Sequence, residues 1–210
     1  MVDNAEKSKA EEILREVERK HRPISNLARA ILMGSLSCGE ALKPFLGDTT
    51  QADKHTLFPA ICYEFIFFFA HLMNRNALSI LGNDGRNKLQ NEIAPLIVVP
   101  AISGFFDHWP EDRKEKMTND FYDDLNNAEV DYSSCRELLP PSVEVLFKEV
   151  LEDLNSFSEN CLFAKLISRI ISLSGKSLSP EAIMLLLEIS TKTLIDMNLK
   201  QQVEGIKKVL

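Results

Sequence analysis

Turn-forming residues are scarce in this chain, with 8 glycines and 9 prolines in 210 residues. So few turns imply few, long elements and argue against a sandwich or barrel of many short strands. Cysteine is sparse as well. Cys38, Cys62, Cys135 and Cys161 are at least 24 positions apart and make no Cys-x-x-Cys or Cys/His pair. A disulfide framework, a zinc site and a thioredoxin-like motif are therefore not expected. Gly-x-Gly-x-x-Gly, a phosphate loop, Gly-x-Ser-x-Gly and His-Glu-x-x-His are all missing, so no cofactor, no metal and no catalytic residue is assigned.

An excess of positive charge is also absent, since 24 Lys and Arg against 31 Asp and Glu leave a net charge of −7. The densest basic stretch, Lys7 to Arg22, is matched almost one for one by Glu6, Glu11, Glu12, Glu16 and Glu18. It reads as a solvated helical face, and no nucleic-acid partner is expected. The acidic surplus lies between Asp107 and Glu137, where ten acids face only Arg113, Lys114, Lys116 and Arg136. That segment predicts an acidic surface. No apolar run follows the N-terminal charges, so the expected location is the cytoplasm.

What is present is the composition of a globular chain, 45% hydrophobic and 26% charged. Its apolar residues recur mostly at helical spacing. The reading is all-α: a single domain over 1–210, a bundle of about six to seven helices, with a marginal, partly mobile N-terminal helix over 1–22 ending before Pro23. Ser25 is expected to cap a second helix through Leu27, Ala28, Ile31, Leu32 and Leu42. A central helix over 57–81, capped by Thr56, is apolar on every side and predicts burial. Its Glu64 and Arg75 argue against a membrane span. Gly82-Asn83-Asp84-Gly85 should stop it. Pro95 and Pro100 predict a kinked helix or two short ones over 93–106, with a strand as the lesser alternative.

Pro110, followed by Glu111 and Asp112, should open an amphipathic surface helix carrying Met117, Phe121 and Leu125. Apolar positions from Val143 to Leu173 predict one long helix closing at Gly175. Ser179-Pro180-Glu181 then starts the last helix, and the two should pack as an antiparallel C-terminal hairpin.

One constellation stands out. Glu64, His71 and Arg75 lie at offsets 0, 7 and 11, within about 40° of one another on a buried rod. Phe68 and Leu78 share the face, which argues against an exposed flank. Buried charge needs partners. These three residues either knit helices together, for instance through Glu92 or Asp107, or line a ligand pocket in which Arg75 holds a carboxylate or phosphate. A third reading makes Glu64 and His71 metal ligands with Asp107, His108 or Glu92, although their two-turn spacing departs from the Glu-x-x-His of two-iron bundles. The functional expectation is a non-catalytic protein binding a partner protein or a small acidic ligand, with Glu64, His71 and Arg75 as candidate ligand-binding residues, and assembling as a homodimer. A structural homo-oligomer without ligand and a helical-bundle metalloenzyme are the alternatives.

Overall fold

The computed structural model describes residues 4–45, 51–139, 161–175 and 178–210. The chain is all-α. Helix α1 covers Asn4–Leu42, α2 Gln51–Phe105, α3 Glu111–Ser133, α4 Leu162–Ser174, α5 Pro180–Met197 and α6 Leu199–Ile206, with a 3-10 turn at Lys43–Phe45. Among the described residues no strand forms, and the one isolated bridge pairs Glu137 with Cys161.

Several boundaries differ from the expectation. Proline at 23 does not divide the first two helices, because α1 runs through it. A helix-interior proline removes one hydrogen bond and crowds the preceding turn. Beyond it, burial of Ile24, Leu27, Ala28 and Ile31 holds the helix. The central helix begins at Gln51, before Thr56 and Pro59. It breaks where expected, at Gly82, whose φ of 73° and ψ of −175° are non-helical. The following segment is one helix and not two short ones or a strand: α2 continues through Pro95 and Pro100, which both face solvent, while Ile93, Ile97, Val98, Ala101 and Ile102 are buried, and its non-helical position is Gly82.

Local signals at the other ends hold. Pro110 precedes α3, and Ser179 caps α5 by accepting from the Ala182 N–H, with Pro180 at the first helical position. Gly175 closes α4 in the left-handed conformation. The long helix expected from 143 to 173 does not run through Cys161, which is extended and starts α4 afresh; its 140–160 portion lies outside the described residues. The hairpin expectation also needs correction: α4 packs chiefly on α2 and α5 chiefly on α1.

The core is one continuous cluster centred on α2, whose Ile61, Cys62, Phe65 to Phe69, Leu72, Met73 and Ala77 are buried. The stretch Leu57–Phe105 is long and apolar enough to cross a membrane, but 72% of its most apolar window is buried inside the fold, as in the core helix of a soluble protein. Aromatic edges dock the flanking helices. Phe68 meets Tyr132 of α3 at 5.9 Å and Phe163 of α4 at 5.2 Å, and Phe67 meets Phe121 of α3 at 5.1 Å. Helix α3 is thus more than a surface helix, since Phe121, Ala128 and Tyr132 reach the core. This docking brings the end of α3 against the middle of α2, where the polar stripe lies.

Candidate functional site

The stripe of α2 divides along its length. Glu64 is 5% exposed and His71 3% exposed, as a buried rod requires, but Arg75 is exposed and Leu78 is 46% exposed. The face leaves the core within one turn after His71, so the expectation of a stripe buried throughout is corrected.

Glu64 is held by a residue that sequence reasoning did not single out. Arg169 of α4 donates Nε to Glu64 Oε2 at 2.6 Å and Nη2 to Oε1 at 3.0 Å, and its Nη1 reaches Asp131 of α3. Burial pushes the Glu64 carboxyl above its ordinary range, and the Arg169 hydrogen bonds and charge pull it back. Both carboxylate oxygens accept from that one guanidinium. Among the described residues no three His, Cys, Asp or Glu side chains gather as metal ligands. Tyr132 lies under the Arg169 guanidinium at 5.8 Å and is fully buried. Burial first, then the Glu64 charge, pushes its phenol well above the usual value.

His71 and Arg75 take different partners. Glu129 of α3 places Oε2 3.0 Å from His71 Nδ1 and accepts from Asn74 Nδ2 at 3.3 Å. Arg75 Nη2 donates to the Arg136 carbonyl at 3.2 Å, so neither Glu92 nor Asp107 is its partner. Here α2 and the end of α3 enclose a cleft of about 360 Å³, lined by His71, Asn74, Arg75, Arg86, Glu129 and Arg136 together with Leu78, Ser133 and Cys135. Glu64 is not among the lining residues. The structure thus joins two of the three sequence candidates and separates the third into a buried ion network.

The electrostatics of the cleft are one-sided. Arg86 donates to the neutral Asn87 Oδ1, and Arg75 to a backbone carbonyl. Among the described residues, no carboxylate forms an ion pair with Arg75, Arg86 or Arg136. The single acid in the lining, Glu129, is engaged by His71 and Asn74. Three guanidiniums with no carboxylate ion pair among the described residues can grip a carboxylate or phosphate in fork geometry.

His108, offered above as a metal ligand, does not line the cleft and contacts its neighbour Asp107 instead. Trp109 packs on Phe106 at 4.4 Å and beneath Arg113 at 3.5 Å. Comparison with family models, with characterised proteins and with solved structures gave no match.

Proposed function

We propose that this is a non-catalytic cytoplasmic binding protein whose cleft between α2 and the end of α3 takes a small anionic ligand, a carboxylate or phosphate compound. The observation that carries the reading is the set of three arginines, Arg75, Arg86 and Arg136, lining one cleft with no acid partner among the described residues, in a chain of net charge −7. Like charges repel when gathered, and a bound anion relieves that cost. The cleft volume lies in the range of small-molecule sites. Titration calorimetry of the full chain with inorganic phosphate and with succinate tests it. Binding should weaken about tenfold or more in Arg75→Met and in Arg136→Met, about 1.4 kcal/mol each. Failure of both anions to bind, or unchanged affinity in both variants, would overturn the reading.

A second reading, association with another copy of the chain, is favoured by the outer face of α5. Met184 is 41% and Ile195 71% exposed there, with Glu188 and Lys192 one turn apart between them. Across a two-fold axis Glu188 would meet the second copy's Lys192, a self-complementary arrangement. Sedimentation should show twice the chain mass of 23.7 kDa at micromolar protein and a shift to monomer in Ile195→Lys. A concentration-independent mass equal to one chain would refute it.

A further inference from the structure

The cleft contains a second set of polar atoms besides its arginines. His71 and Asn74 both line it, and both are more than nine-tenths buried. Glu129 Oε2 contacts His71 Nδ1 and Asn74 Nδ2. An ionised carboxylate only accepts, so it fixes the proton on His71 Nδ1 and turns the amide NH2 of Asn74 towards itself. The atoms left over are His71 Nε2 and Asn74 Oδ1. Among the described residues, neither has a hydrogen-bond partner. In the neutral ring Nε2 is an acceptor, as the amide oxygen always is. Two buried acceptors thus lack a donor on the side chains that line an arginine-rich cleft, and such groups cost stability unless something satisfies them.

We infer that the ligand is a small acid that also carries a hydrogen-bond donor, a hydroxyl or an ammonium group, with the donor set against His71 and Asn74 and the acid against the arginines. This rests on the anion-binding reading above. The spacing suits one small molecule, because His71 and Arg75 are one helical turn apart, about 6 Å along the axis. An acid without a donor would leave both acceptors unpaired and would bind correspondingly worse.

The test compares acids that differ only by the donor, by titration calorimetry of the full chain: malate and aspartate against succinate, and glycerol 3-phosphate against propyl phosphate. The donor-bearing member of at least one pair should bind about tenfold tighter or more. The malate and aspartate arms separate hydroxyl from ammonium, and the phosphate pair separates the two kinds of acid. In Asn74→Leu the ratio within the discriminating pair should fall towards one. Should that variant fail to fold, His71→Leu serves instead, because it removes the Nε2 acceptor outright. Equal affinity within every pair overturns the donor requirement while leaving the anion site standing. A ratio undiminished in the folded variant also overturns it. No binding by any of the five probes overturns both readings.

Discussion

Arg169 grips Glu64 with two nitrogens, Nε at 2.6 Å and Nη2 at 3.0 Å, and so ties α4 to α2. The same guanidinium reaches Asp131, so three helices converge on one cation. Breaking such a pair from one side leaves an uncompensated buried charge, which costs far more than the net worth of the pair. Arg169→Met should therefore lose about 3–5 kcal/mol in urea unfolding. The double variant Glu64→Leu/Arg169→Met, which removes both charges, should lose less than Arg169→Met alone. A single variant within about 0.5 kcal/mol of wild type, the range of neutral surface changes, would show that the network does not hold the helices.

Gly39 allows α1 to approach α2. A methyl group added there would lie 2.5 Å from Cys62 Sγ and 3.4 Å from the Phe58 ring. Gly39→Ala should cost about 1–3 kcal/mol, the range for overpacking a closed core. Adding Cys62→Ala removes the sulfur in the way and should recover part of that loss. Thermal unfolding of the two variants decides it, and additive losses would argue against the contact.

Local chemistry was legible in the sequence, and pairing was not. Ser179-Pro180-Glu181, Gly175, Gly82 and Pro110 each act through neighbours in the chain, and each marks the boundary expected of it. Pro23 misled as a helix end because the burial that holds the helix past it is a tertiary effect. Likewise Glu64 and His71 announced themselves as polar residues on an apolar rod, but Arg169 and Glu129, which satisfy them, are 105 and 58 positions away. Arg86 lies beyond the Gly82 break, where helical phase from Arg75 is lost. Arg136 read as one of four cations among ten acids, with nothing to mark it as a lining residue of the cleft.

The Cys38 and Cys62 thiols are buried, and burial pushes them up to about 11 and about 12; hydrogen bonding to Thr193 pulls against this at Cys38, and the Glu40 charge adds to it at Cys62. A raised folded value favours the neutral thiol in the native state. Its contribution to stability is complete below the unfolded value of about 8.5 and is lost as pH rises through about 11 and 12. The urea midpoint should therefore fall between pH 8 and pH 11, and less so in Cys38→Ala/Cys62→Ala. Equal pH dependence of the two proteins would contradict this origin.

Arg75→Met separates a structural arginine from a ligand-holding one. Methionine keeps the apolar stem and deletes the charge. Arg75 is exposed and its one hydrogen bond among the described residues is to the Arg136 carbonyl, so no buried acid is orphaned by the change. The loss of stability should then stay below about 1 kcal/mol, far from the 3–5 kcal/mol of a broken buried pair. Removing one of three gathered cations also relieves repulsion, which offsets part of the lost hydrogen bond. Phosphate or succinate, by contrast, should raise the melting temperature of wild type more than that of the variant, because a ligand at free concentration L that binds only the folded chain stabilises it by RT ln(1 + L/Kd), which grows as Kd falls. A variant that is strongly destabilised yet keeps the full ligand-induced shift would place Arg75 in the scaffold and remove it from the site.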